Sequence, residues 1–363
     1  MRYGISRRHF AGAAAAAPFV PAVLSGSPGE WTVEETAETP KLCLGTSLKT
    51  DAAGMRKTKQ IGINHVLSGG GPIPWTEERL RSIMEHFKQG GLGVCNLMIG
   101  GFRKTIYGKP GRDEEIDQVR QSIRAAGRVG LPVVEYNFYA HRLVEGYYEQ
   151  TGRGGAGLTA FDYDRVKNLP PLPDEGAHTL DEMWANITYF LKAVVPVAEE
   201  SGVRLALHPN DPPALKSRGS DQIMGTLAGW KKLISIVDSP ANGITFDCGV
   251  TRELGEDPVE VCRYFGSRDR INHLHFRNVR VRKPYEKYTE VFPDNGQVNM
   301  FAVMKEIVRQ KYKLAIYPEH PRALDADRER AGFDPYYPGG GKYVGLVYNV
   351  GYARAMLQAA LAG

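Results

Sequence analysis

The chain has 363 residues, 42% of them hydrophobic and 24% charged, which allows one large core and excludes a wholly disordered protein. Its net charge of +5 includes no long basic run and no basic stripe interleaved with aromatics, so a nucleic-acid groove is not expected. Four cysteines without a CxxC pair argue against a disulfide framework, which a chain of this size does not need. Cys43 and Cys95 fall inside predicted strands, where a thiol behaves as a small buried apolar group.

At the N-terminus, Ser6-Arg7-Arg8-His9-Phe10 precedes the uncharged, Ala-rich stretch AGAAAAAPFVPAVLSG. An arginine pair with Phe two positions later and such a run resembles a twin-arginine export signal, which sends an already folded protein to the periplasm. The apolar stretch is too short, and too broken by Pro18 and Pro21, to anchor the protein permanently in a bilayer. Residues 25 to 40 are rich in Gly, Pro, Thr and Glu and read as a linker. The expected organisation is therefore a signal and linker over 1–40 and a single folded domain over 41–363.

Regular structure is predicted from Lys41. KLCLGTSL reads as a first strand, and INHVLSGGG (Ile63 to Gly71) as a second, closed by glycines. In TEERLRSIMEHFKQGG, Leu80, Ile83, Met84 and Phe87 recur at helical spacing and Gly90-Gly91 ends the run. LGVCNLMIG (Leu92 to Gly100) is a third strand, DEEIDQVRQSIRAAGRVG a helix, and LPVVEYNFY (Leu131 to Tyr139) a fourth strand. From Ala140 to His178 the period is lost among glycines, tyrosines and prolines. A structureless loop of that length after a barrel strand is usually functional, and it is expected to form a lid or substrate wall. Thr179 and Glu182 make a T-x-x-E capping box for the next helix. Ile187, Leu191, Val194, Val195 and Ala198 line one face of that helix, Pro196 should kink it, and Gly202 ends it.

Four apolar runs in the second half each end near a residue able to bind a metal. RLALHPND carries His208, GITFDCG carries Asp247, INHLHFRN carries His275 and KLAIYPEH carries Glu319. The intervals between them, roughly 30 to 45 residues, suit a strand, a helix and two connecting loops. Helical stretches fall from Gln222 to Val237, in EDPVEVCRYFGSR and in MFAVMKEIVRQ, and YVGLVYNVGYARAMLQAAL follows as a last helix. Eight strands alternating with helices make a (β/α)8 TIM barrel, whose strand ends face one mouth. Two imidazoles and two carboxylates there form a mixed N/O site suited to Mn2+, with Mg2+, Fe2+, Co2+ and Zn2+ as competitors. His273 and His275 lie two apart and share a side of their strand; His275 is nearer the mouth and is the expected ligand, with His273 deeper. Glu135 and Asn137 likewise share a face of strand four, which would reach the pocket floor if turned inward.

Several stretches resemble the mannonate dehydratase family, over most of the chain after about Pro132. They are YNF (Tyr136 to Phe138), FLKAVVPVAEESGVRLALHPNDPP (Phe190 to Pro213), ANGITF (Ala241 to Phe246), HFRNV (His275 to Val279), NGQVNM (Asn295 to Met300) and PEH (Pro318 to His320). HPNDPP is the most specific, being close to that family's HPDDPP. The resemblance implies a metal-dependent barrel of the xylose-isomerase-like type that uses Mn2+ to remove water from D-mannonate, giving 2-keto-3-deoxy-D-gluconate. By position it implies His208, Asp247, His275 and Glu319 as ligands, with Arg277 and His320 in the pocket.

The chain also departs from that family. Asp247-Cys248 stands where the family usually has Cys-Thr, and Glu319-His320-Pro321 where it has Asp-His-Gly. Asp247 thus replaces a thiolate, which favours Mn2+ or Mg2+ over Zn2+, and Cys248 is expected on the opposite side of the strand. The change moves the site toward the sugar isomerases and epimerases of the same superfamily, whose sites resemble Glu-Asp-His-Glu. An isomerase or epimerase of a neutral sugar is therefore the alternative reading. Export is a further departure, because hexuronate breakdown by this family is expected in the cytoplasm.

A dehydratase removes a proton next to a carboxylate or carbonyl and expels a β-hydroxyl. His320 is the expected acid/base residue, with Tyr336 or Tyr337 of DPYYPGGGKY as substitutes, and Arg277 would hold the substrate's carboxylate through paired hydrogen bonds. His320 should lie beside the ion without binding it, because adjacent strand residues point to opposite faces, although a turn at Pro321 could swing it over the pocket. The expected partner is a small sugar acid or sugar, with no nucleic acid and no stable membrane anchor, and a homo-oligomer is compatible with the sequence. A non-catalytic sugar-binding barrel would not need the ligand quartet.

Overall fold

The computed structural model describes residues 35–139 and 141–363, so the arginine pair and its apolar run lie outside the described residues. Eight parallel strands close into a barrel: β1 (Lys41–Gly45), β2 (His65–Gly69), β3 (Gly93–Ile99), β4 (Val133–Tyr136), β5 (Arg204–Leu207), β6 (Asn242–Asp247), β7 (Ile271–His275) and β8 (Ala315–Tyr317). They neighbour one another in chain order, and β8 pairs with β1 through Lys41↔Ala315 and Leu42↔Ile316. Register decides what meets at the mouth. Thr245 lies opposite His273, Asp247 opposite His275, and His275 opposite Tyr317.

Helices cover the outside of the barrel. The longest between strands, Leu180–Glu200, opens with the expected capping box: Glu182 N donates to Thr179 Oγ1 and Thr179 N to Glu182 Oε2. Ile187, Leu191, Val194, Val195 and Ala198 form its buried face, and one continuous helix runs through Pro196. Helix Cys248–Glu253 was not foreseen; it begins directly at the end of β6. Cys248 therefore leaves the strand, rather than facing its other side, and packs into the core. The helix assigned to Gln222–Val237 is shorter, Leu227–Ile236. None of the described helices is long and apolar enough to cross a membrane.

The stretch expected to be a structureless wall carries strands. Tyr147–Thr151 and Gly157–Asp162 pair as an antiparallel hairpin, and Gly157–Asp162 also pairs with Lys287–Val291, which pairs with Asn278–Lys283. This four-stranded cap sheet is contributed half by the excursion after β4 and half by the one after β7. Tyr147, Phe161, Tyr288 and Tyr337 fill a small apolar cluster of their own beneath it. Gly339 has φ of +73°, and a Cβ there would meet the carbonyl oxygen of Leu158 at 2.3 Å, so only glycine fits where the 336–341 segment passes under the cap.

Candidate active site

His275, the last residue of β7, stands at the centre of the predicted quartet. Its Nδ1 is 3.2 Å from His208 Nε2, 3.0 Å from Glu319 Oε1 and 3.8 Å from Asp247 Oδ2. All four residues are buried. His208 follows β5 directly, and its Nδ1 meets the carbonyl of Pro209 at 2.7 Å, which turns Nε2 toward His275. Asp247 ends β6 and caps the following helix, accepting from Val250 N with Oδ1 at 2.7 Å and leaving Oδ2 toward the site.

Glu319 and His320 lie beyond the end of β8, so strand alternation does not govern them. His320 has φ of +46°, and this left-handed turn brings both side chains to one side, with His320 Nε2 3.4 Å from Glu319 Oε2. The expected separation onto opposite faces is thus corrected in favour of the turn. His320 Nδ1 meets Glu290 Oε2 at 2.9 Å. Arg322 is wholly buried, donates twice to the His320 carbonyl and pairs with Glu290 at 2.7 Å.

Arg277 lies among carboxylates. Its buried guanidinium meets Glu253 at 2.7 Å, Asp247 at 3.0 Å, Glu319 at 3.3 Å, Asp211 at 3.5 Å and Glu290 at 3.8 Å. Nε and Nη1 donate to Asp247 and Glu253, whereas Nη2 is buried with no hydrogen-bond partner among the described residues. The two tyrosines stand differently. Tyr336 is 81% exposed at the rim, whereas Tyr337 is 8% exposed, packs its ring against His320 and accepts a hydrogen bond from Arg142. Arg142, Tyr317, Glu319, His320, Tyr336 and Tyr337 line a cavity of about 260 Å³. A second cavity, of about 500 Å³, opens at the ends of β2, β3 and β4 between Gly69, Gly71, Gly100, Gly101, Asn137 and Tyr139.

Sequence reasoning passed over Asp211, Glu253, Glu290, Arg142 and Arg322. Asp211 sat in plain view inside HPNDPP, and it binds Arg142 at 2.6 Å and the hydroxyl of Tyr147 at 3.2 Å. Glu290 and Tyr288 alternate in KYTEV, a two-residue period that marks the unrecognised strand.

Charge balance shows that a divalent cation fits. Glu135, Asp211, Asp247, Glu253, Glu290 and Glu319 are buried together, against the buried Arg277 and Arg322 and the half-buried Arg142. Burial pulls His275 down, but Glu319, Glu135 and Asp247 outweigh it and raise the ring to about 9. Burial, helped by His275, pushes His208 down to about 4 and keeps it neutral, as a metal ligand must be. Burial raises Asp247 more than Arg277 lowers it. A divalent ion beside His275 would relieve the same crowding of carboxylates that raises its ring. His208, Asp247 and His275 offer three donor atoms within 4.8 Å of one another, and Oε1 of Glu319 has no hydrogen-bond partner among the described residues.

A parallel (β/α)8 barrel whose mouth gathers imidazoles and carboxylates in this way belongs to the xylose-isomerase-like class. A xylose isomerase-like TIM barrel protein from Mycobacterium smegmatis, solved in complex with magnesium, shares the fold at a TM-score of 0.58 and 14% identity, covering 90% of this chain and 99% of that one. Within the class, the D-mannonate dehydratase family model matches residues 174–361. Mannonate dehydratase of Enterococcus faecalis is 30% identical over 320 residues, 77% of this chain and 86% of the relative. The crystal structure of mannonate dehydratase from Streptococcus suis serotype 2 matches with a TM-score of 0.80 and 26% identity, covering 89% of this chain and 94% of that one. The chain belongs to the mannonate dehydratase family of metal-dependent hydro-lyases.

Burial pushes Asp211 up, but Arg277 and Arg142 outweigh it and hold its carboxyl well below the ordinary carboxylate range. Asp211→Asn removes the carboxylate that pairs with Arg142 at 2.6 Å, while Arg277 keeps its others, and is expected to cost about 1.5–3 kcal/mol at neutral pH. Because the folded-state value is depressed, that contribution is fully present above the unfolded value of about 3.9 and is lost as pH falls through the folded one. Thermal melts of wild type and variant should differ most near neutral pH, and the gap should narrow progressively as the pH drops below about 4. A gap that stays constant over that range means Asp211 is not an ionised partner.

Proposed function

We propose that the protein dehydrates a sugar acid of the D-mannonate type to the 2-keto-3-deoxy acid. The observation that carries this reading is the convergence of His208, Asp247, Glu319 and the acid/base candidate His320 around His275 in a mannonate dehydratase family chain. His208, Asp247, His275 and Glu319 would hold the divalent ion, and their N2O2 donor set favours Mn2+. When bound, it would orient substrate oxygens and stabilise the negative charge that develops as the C2 proton leaves.

The chain's own residues would do the rest. His320 would take the proton from C2, its ring held by Glu290 and by the turn at φ +46°. The C3 hydroxyl would leave with a proton as water, and the resulting enol would gain a proton at C3 to become the 2-keto acid. Burial lowers His320, but Glu290 and Glu319 raise it further, which suits a ring that accepts a proton and gives it back. Arg277, whose Nη2 has no hydrogen-bond partner among the described residues, would receive the substrate's carboxylate, with Arg142 held beside Tyr337 at the rim. Tyr337 would keep His320 and Arg142 in place. We also assign the Ser6-Arg7-Arg8-His9-Phe10 stretch as a twin-arginine signal that delivers the folded enzyme to the periplasm.

Metal-loaded protein incubated with a panel of aldonates, hexuronates and keto sugars should release a 2-keto-3-deoxy acid from an aldonate. Epimerised or isomerised keto sugar with no deoxy product would replace this reading with that of a sugar isomerase or epimerase. In the same preparation Asp247→Ala should lose its metal by elemental analysis while remaining folded.

His320→Asn should keep metal and substrate affinity but slow turnover by roughly a hundredfold or more. Loss of metal in this variant would make His320 a ligand; near-normal turnover would move the proton transfer elsewhere. Exchanging Arg7 and Arg8 together for lysine should hold the precursor in the cytoplasm, and an unchanged periplasmic yield would remove the export assignment.

A further inference from the structure

Below the quartet lies a second group of donors that the proposed reaction does not use. His273, two residues deeper on β7, is fully buried, and neither of its ring nitrogens has a hydrogen-bond partner among the described residues. The same holds for Nε2 of His275, the nitrogen turned away from Asp247 and Glu319. That atom is 3.6 Å from Glu135 Oε1, too long for a hydrogen bond. Yet two donors each about 2.1 Å from one tetrahedral ion sit roughly 3.4 Å apart, so the spacing suits shared coordination. Donor atoms of Glu135, His273 and His275 all lie within 4.8 Å of one another. Asn96 Nδ2 donates to Oε2 of Glu135 at 2.7 Å and Thr245 Oγ1 to Oε1 at 2.8 Å. Ligating carboxylates are commonly aimed by outer partners of this kind.

We propose that the barrel interior holds a second divalent-cation site, formed by Glu135, His273 and Nε2 of His275, directly beneath the first and joined to it by the His275 ring. Two imidazole nitrogens and one carboxylate favour a borderline transition metal, Zn2+, Co2+ or Fe2+, over Mg2+ or Ca2+. Filling both positions makes His275 an imidazolate bridge, with its last ring proton released to solvent. The second ion also offsets the excess of buried carboxylates. The inference rests on the functional reading only through His275 as a ligand of the upper ion.

The test uses the full chain, stripped by chelation and dialysed against Co2+ as probe, with cobalt counted per chain and its paramagnetic resonance recorded. Two cobalt ions per chain with mutually coupled signals are expected. His273→Phe and, as a milder change that keeps the side-chain shape, Glu135→Gln should each fall to one uncoupled ion, and Asp247→Asn should retain the lower one. A single ion in the wild type that is lost in Asp247→Asn and untouched by both deeper substitutions overturns this inference and leaves the functional reading standing. Two ions without coupling also overturn it, because the second then lies away from His275. No bound cobalt at all overturns both.

Discussion

Arg277 is the group on which the mouth of the barrel depends. It follows β7 two residues after His275 and gathers carboxylates from four other parts of the chain: Asp211 after β5, Asp247 and Glu253 around the end of β6, Glu290 from the cap, and Glu319 after β8. A buried charge with no partner is strongly unfavourable, and a buried carboxylate equally so, which makes the arrangement all or none. One guanidinium thereby fixes the spacing of two candidate metal ligands, Asp247 and Glu319, before any ion arrives. Because carboxylates outnumber arginines, the centre is left short of positive charge. That excess of carboxylates would favour a bound cation here.

The barrel itself was legible because its signals are local. Apolar runs ending at His208, Asp247, His275 and Glu319 correspond to β5 through β8 within a residue or two, and the Thr179–Glu182 box marks its helix start at the residue expected. The convergence of His208, Asp247, His275 and Glu319 was readable for the same reason, since in a barrel the end of every strand is a known address. The depth of His273 relative to His275 also followed from the two-residue period alone.

What escaped the sequence depends on partners far apart in it. The strands Tyr147–Thr151 and Gly157–Asp162 are short, interrupted by Gly152, Gly154 and Gly155, and stabilised by pairing with Lys287–Val291. No window of the sequence contains that pairing. The carboxylates around Arg277 could not be foreseen because they are scattered from residue 211 to residue 319. Tyr336 and Tyr337 are neighbours in one loop, and only the fold reveals which of them is inside. The positive φ of His320 is a backbone state that few residues other than glycine adopt, and the Pro321 that follows hinted at a turn without fixing its sense.

The shared cap has a consequence for how the protein comes to be folded. Its inner pairing joins Gly157–Asp162 to Lys287–Val291, so the first hairpin waits with an unpaired edge until seven of the eight barrel strands have been made. Such long-range pairing is slow to close, and an open edge invites association with other chains meanwhile. The roof over the site is therefore a late event in assembly. A chain cut short before residue 287 would contain His208, Asp247 and His275 and still lack both the cover and the last candidate ligand, Glu319. Completion of the roof and of the candidate metal centre thus coincide in the final quarter of the chain, which would couple competence for chemistry to synthesis of that stretch.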